Sequence, residues 1–166
     1  MFYIDLFSAL GQARVRYVIV GGLALNLHGV ERATMDIDLA MALDAPNWHA
    51  ALEVFKALRL TPVAPVTFEQ VADPAQLREW KRDRHKLVFG LQSTVTHGPT
   101  VDVLIDPPVV FAELADRAVV KQVGPLAIPV AAIDDLIALK RMAGREIDLA
   151  DIEALEALKK LGLDRS

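Results

Sequence analysis

The stretch at residues 17–41, YVIVGGLALNLHGVERATMDIDLAM, constrains this chain more than any other part of it. Tyr17 to Val20 is an apolar, β-branched run and predicts a strand. Gly21 and Gly22 follow, then a helical segment at 23–28, a polar turn holding Arg32 and Thr34, and a second strand at 35–42. Alternate residues of a strand share a face, so Asp36 and Asp38 point the same way, roughly 7 Å apart. Ile37 and Leu39 point the other way, into a core. Two like charges side by side repel, and burying them costs several kcal/mol unless something positive lies between them. A divalent cation meets that need, and Mg²⁺ prefers carboxylate oxygens and brings phosphate ligands with it. The glycines let backbone approach a ligand closely, and free N–H groups at a helix start form a phosphate site. Together these features point to metal-assisted phosphoryl or nucleotidyl transfer. On residue types alone, a tight strand–helix turn with two solvent-facing aspartates on an edge strand accounts for the stretch equally well.

Order and spacing separate the two readings. An apolar strand, Gly-Gly, a gap of thirteen residues and Asp-Ile-Asp resembles the signature of the polymerase-beta-type nucleotidyltransferase superfamily. The form GGLALNLHGVERATMDIDL resembles its abortive-infection branch, the AbiEii/AbiGii type. Gly22 departs from the serine that many relatives carry there. The resemblance implies a mixed β-sheet core flanked by helices, of α/β (α+β) class, with C-terminal helices. It implies a nucleotidyltransferase that uses Mg²⁺ or Mn²⁺ and an NTP such as ATP. Asp36 and Asp38 would hold metal, and Gly21, Gly22, Arg32 and Thr34 would contact the nucleotide. For Arg32, an ion pair with Glu31 or Asp36 is an equal alternative.

One domain suits the 166 residues, with a catalytic core expected over about residues 15–130 and a helical cap over about 131–162. Hydrophobic residues make up 53%, enough for a real core. No cysteine is present, which excludes a disulfide framework and a thiolate metal site and fits a cytoplasmic protein. The N-terminus does not read as a signal peptide, and no apolar run approaches the roughly 20 residues of a membrane span. The net charge of −4 means that any nucleic-acid contact comes from a local patch.

A first helix is expected over residues 2–11, ended by Gly11. Asp44 and Pro46 start another, with Trp48, Leu52, Phe55 and Leu58 as its core stripe. Residues 60–65 predict a short edge strand limited by Pro62 and Pro65. A helix is expected over 68–83, broken near Pro74. Its end carries Arg78, Lys81, Arg82, Arg84 and Lys86 against Glu79 and Asp83, a local charge of +3. This run is either a solvated helix end or a patch that binds triphosphate or, with Trp80 for base stacking, RNA such as tRNA. Strands are expected over 86–92 and 100–105, antiparallel across a turn at 97–99. One acid within an apolar strand is unusual, and Asp102 matches the place of the third carboxylate in the superfamily. A hairpin at 119–130 and two helices from 131 complete the chain.

Those last helices hold Lys140, Arg145, Asp148 and Asp151. By themselves these residues read as salt-bridged helix faces worth a few tenths of a kcal/mol per pair. A lysine followed by Arg-x-x-Asp-x-x-Asp resembles the C-terminal motif of the AbiEii-type branch. By that resemblance Lys140 would meet the nucleotide phosphates and Asp148 would orient Lys140 or the nucleotide. The resemblance also implies an RNA acceptor, a role in toxin–antitoxin or phage-defence systems, and a cognate antitoxin. A catalytically silent nucleotide- or partner-binding module and an antibiotic-modifying nucleotidyltransferase are the alternative readings.

Overall fold

The computed structural model describes residues 2–63, 65–84, 88–94 and 98–162. Helix α1 (Phe2–Gln12) leads into β1 (Tyr17–Val20), α2 (Gly21–His28) and β2 (Ile37–Met41). Next come α3 (Ala45–Ala57), β3 (Leu60–Pro62), α4 (Pro74–Arg84), β4 (Val88–Ser93) and β5 (Thr100–Leu104). Helix α5 (Phe111–Arg117), the hairpin β6 (Val119–Val123) and β7 (Leu126–Val130), and helices α6 (Ile133–Ala143) and α7 (Glu146–Lys160) follow. Among the described residues seven strands form one mixed sheet in the order β3-β4-β5-β2-β1-β7-β6. The pairs β1–β7 and β2–β5 are parallel, and the other neighbours are antiparallel. The expected class of a mixed sheet flanked by helices is therefore met.

Several boundaries differ for local reasons. Helix α1 runs through Gly11 to Gln12, and the left-handed turn falls on Arg14 at φ 55°. Pro74 opens α4 rather than breaking a longer helix, since proline suits a first helical turn. The Asp73 carboxylate caps that start by accepting the Ala75 N–H at 2.9 Å. Strand β2 begins at Ile37, so Asp36 lies just before it. The expected start of β4 at residue 86 and part of the turn at 97–99 lie outside the described residues.

One face of the sheet carries Ile19, Ile37, Leu39, Phe89, Leu91, Val101 and Val103, all buried. Helices α1 and α3 close over it: Phe7 stacks on Tyr17 at 6.1 Å, and Trp48 meets Phe89 edge-on at 5.7 Å. Each aromatic pair adds about 1 kcal/mol beyond the area it buries. Helix α2 lies against β1 and β2, and the buried His28 donates from Nε2 to the Ala131 carbonyl at 2.8 Å. That bond ties α2 to the segment leading into α6.

Buried Asn47 fastens the two central strands. Its Oδ1 accepts the Arg16 N–H at 2.7 Å, and its Nδ2 donates to the carbonyls of Arg16 and Ala42 at 3.1 and 2.8 Å. It thus grips the residue before β1 and the residue after β2. Asn47→Ala leaves those groups unpaired in a buried place and is expected to lower stability by about 2–3 kcal/mol, measured by urea unfolding. A loss below about 0.5 kcal/mol would show that Asn47 does not fix this register.

Candidate active site

Partners on paired strands share a face, and the register lays four residues in a row across the sheet. Val20 pairs with Asp38, Asp38 with Asp102, and Asp102 with Gly90. Neighbouring strands are about 4.8 Å apart, so two carboxylates stand side by side with no residue between them. Gly21 follows Val20 directly, which brackets the two acids with glycines. A Cβ on Gly21 would collide with the Asp38 carboxylate, and φ of 66° suits glycine there. A Cβ on Gly90 would stand only 3.1 Å from Asp102 Oδ1.

Asp38 is half-buried, and its carboxyl is pushed up to about 6. Burial is the largest cause, followed by the charges of Asp102 and Asp36; the Gly22 N–H and Lys140 partly offset them. Burial and the Asp36 charge raise Asp102 as well. Asp36 itself is exposed, and its Oδ1 accepts the Thr100 hydroxyl at 2.6 Å. Among the described residues no three His, Asp or Glu side chains form a ready metal-holding cluster. The donor set is nevertheless of hard oxygens, and Mg²⁺ is commonly held by one or two carboxylates plus substrate phosphates.

The N–H of Gly22, at the start of α2, bonds to the Asp38 carboxylate. Above Gly22, Thr34 fills the space where a side chain would stand: its Oγ1 would lie 3.0 Å from an added Cβ. A hydroxyl is therefore present at this spot although residue 22 brings none.

Helices α6 and α7 contribute a buried chain of alternating charge. Lys140 Nζ donates to Asp151 Oδ2 at 2.6 Å and to Asp148 Oδ1 at 3.3 Å. Asp151 Oδ2 also accepts from Arg32 Nη1. Asp148 accepts the Arg145 N–H and Nε–H at 3.0 Å each, which caps the start of α7. Burial lowers the Lys140 ammonium below the usual lysine value, and Arg32 adds to this; Asp148 works the other way. Burial opposes the Asp148 charge, but Arg145 and Lys140 outweigh it and hold the carboxyl below its ordinary value. Asp148 is 1% exposed, so it touches Lys140 and Arg145 and is closed to a ligand. Sequence left Arg32 equally open to nucleotide contact or to an ion pair with Glu31 or Asp36; the structure pairs it with Asp151, 119 residues away. Beside Arg32 opens a cleft of about 580 Å³ lined by Asn26, Gly29, Val30, Glu31, Arg32 and Ala33.

The basic run on α4 is partly occupied. Arg78 Nε donates to Asp106 Oδ2 at 3.0 Å, and Lys81 donates to the Asp106 carbonyl. Arg82 pairs with Asp83 at 3.1 Å. Trp80 is half-buried, with part of its side chain packed against the core. The Arg84 side chain, His85 and Lys86 lie outside the described residues.

The family model described as nucleotidyl transferase AbiEii toxin, Type IV TA system, matches residues 5–155. A crystal structure from Thermotoga maritima, that of a candidate nucleotidyltransferase (TM1012), has a similar fold with a TM-score of 0.53 and 16% sequence identity. The likeness covers 99% of this chain and 92% of that one. No protein of curated function matches the chain.

The raised Asp38 carboxyl makes a signed prediction. From an ordinary value of 3.8 to about 6, the folded state holds a proton that the unfolded state has released. Stability contributed by the protonated form is present below that window and lost as pH rises through it. In metal-free buffer Asp38→Asn is therefore expected to be more stable than wild type by up to about 3 kcal/mol at pH 7.5 and to differ little at pH 4. Urea unfolding at the two pH values measures this. A variant less stable than wild type at pH 7.5 would make the carboxylate a structural partner.

Proposed function

The chain belongs to the AbiEii nucleotidyl transferase toxin family, and from that premise we propose that this nucleotidyltransferase moves a nucleoside monophosphate from an NTP to a hydroxyl of RNA. The observation that carries the reading is the register that sets Asp38 beside Asp102 and both in line with Val20, the residue before Gly21. Asp36, Asp38 and Asp102 would hold one or two Mg²⁺ or Mn²⁺ ions, whose charge would neutralise the triphosphate when bound.

The remaining roles follow from the side chains. The α2 start at Gly21 and Gly22, with the Thr34 hydroxyl above it, receives phosphate oxygens. Lys140 and Arg32, held together by Asp151, supply positive charge toward the β- and γ-phosphates. Asp148 keeps Lys140 in place. The cleft beside Arg32 takes the base or ribose of the NTP. Asp102 accepts the proton of the attacking hydroxyl. Positioning and charge neutralisation are what phosphoryl transfer needs.

RNA is favoured as acceptor by the family and by the basic helix α4. A toxin role, with a cognate antitoxin, follows from the family description. Among the described residues no helix is long and apolar enough to cross a membrane.

The test is incubation with each labelled NTP, Mg²⁺ or Mn²⁺ and total cellular RNA, followed by a gel. Wild type is expected to label RNA, and Asp38→Asn and Asp102→Asn to label at least 10²-fold less. Lys140→Ala should raise KM for the NTP about tenfold. Arg141→Ala should leave it within twofold, because Arg141 is exposed and pairs with Glu156 at 2.9 Å. Label on a small hydroxylated acceptor and none on RNA would overturn the RNA assignment; no transfer at all would make the fold a binding module.

A further inference from the structure

Two carboxylates bracketed by glycines define two approaches to one reaction centre. Gly21, Thr34 and Lys140 belong to the Asp38 side. The Asp102 side is different in kind. Beyond Asp102 the same face of the sheet continues onto β4, where Gly90 pairs with Asp102 and Val88 with Leu104. Val18, Val20 and Ala40 on the Asp38 side of this face are buried, whereas Val88 is 40% exposed and Leu104 half-buried. Val63 adds a second exposed apolar group, its Cγ2 3.5 Å from where a Gly90 Cβ would stand.

We propose that this open floor over β4, made by Gly90, Val88, Val63 and Leu104 next to Asp102, is the acceptor subsite and seats the 3′-terminal nucleoside of an RNA. The assignment rests on the nucleotidyl-transfer reading of Asp38 and Asp102. Its first support is stereochemical. Attack on the α-phosphorus is in line, with the entering and leaving oxygens on opposite sides. Pyrophosphate that leaves toward Gly21 and Lys140 requires a hydroxyl that enters from the Asp102 side, and Gly90 is the residue there. The 3′ oxygen forms its bond to the α-phosphorus while the α–β bridging P–O bond breaks. Pyrophosphate takes that electron pair, and the hydroxyl proton passes to the Asp102 carboxylate and on to solvent.

The second support is steric. Glycine inside a strand marks close approach of a ligand or another chain. Any side chain at residue 90 would press on Asp102 Oδ1 and fill the space above it. The third support is the surroundings. Flanking valines offer a flat apolar surface for a base or ribose. Just past the end of β5, Asp106 anchors Arg78 and Lys81 of α4. The basic helix is thereby anchored to the residue two positions beyond β5, the strand that carries Asp102.

Four substitutions test the subsite by steady-state kinetics with an RNA acceptor and an NTP. Val88→Glu puts a negative charge on an exposed position and should raise KM for RNA at least tenfold. KM for the NTP, and kcat, should stay within twofold. Val88→Lys should lower KM for RNA, which a folding defect would not do. Val120→Glu changes a still more exposed valine on the far edge strand β6 and should leave every constant within twofold. Gly90→Ala should lower kcat about tenfold, with NTP binding kept. If Val88→Glu, Val88→Lys and Val120→Glu behave alike while wild type transfers to RNA, the subsite is overturned and the functional reading stands. If wild type transfers nothing to RNA, the functional reading is overturned and the subsite falls with it.

Discussion

The repulsion between Asp38 and Asp102 is the constraint on which the rest of the structure turns. Parallel pairing of β2 with β5 sets the two carboxylates side by side; burial is the largest cause that raises both, with the Asp102 charge adding to it at Asp38 and the Asp36 charge adding to it at Asp102. A fold selected for stability alone would separate them or place a cation between them. The nearby cations are instead hydrogen-bonded to other acids. Lys140 is buried among Asp148 and Asp151, and Arg145 is committed to Asp148. Lys140 offsets the Asp38 charge only in part, so two acids on a central strand pair are left incompletely neutralised. Buried groups whose charge is disfavoured by a specific neighbour are a common mark of functional sites.

The α6–α7 network makes sense in the same terms. Breaking a buried ion pair by removing one partner costs about 3–5 kcal/mol, while the intact pair gives little net stability over apolar packing. Such a cluster is better understood as a device for position. Asp151 holds Arg32, from the turn before β2, against Lys140, from α6. Two cations from distant parts of the chain are thereby fixed beside the strand that carries Asp38. Asp148, closed to ligand, holds Lys140 through one oxygen and caps α7 through the other. A rigid cationic wall and a rigid anionic floor are what electrostatic preorganisation requires.

Much of this was legible in the chain. The strand, glycine pair and Asp-Ile-Asp spacing located β1, α2 and β2, and the lone acid of β5 located Asp102. Local pattern carries such information because strands alternate and glycines permit special backbone. Contacts between distant segments left no local trace. Arg32 found Asp151 across 119 residues, and Thr100 found Asp36 across 64. The clue to Asp151 was its i,i+3 spacing from Asp148, which says only that both share a helical face. Gly90 carried no signal at all until the register placed it opposite Asp102. The basic run was visible as composition, but its partner Asp106 follows a different element, so the occupied state of Arg78 and Lys81 was not.

The central claim is that the Asp38–Asp102 pair, and not another acidic group, receives the charge of metal and nucleotide. A crystal structure of the protein with Mn²⁺ and a non-hydrolysable NTP, using anomalous scattering to place the metal, tests it most directly. The account predicts Mn²⁺ density bridging Asp38 and Asp102, with the triphosphate running toward Gly21 and Lys140 and the α-phosphorus open toward Gly90. Manganese bound away from this pair, or a triphosphate directed over β4 instead, would contradict it.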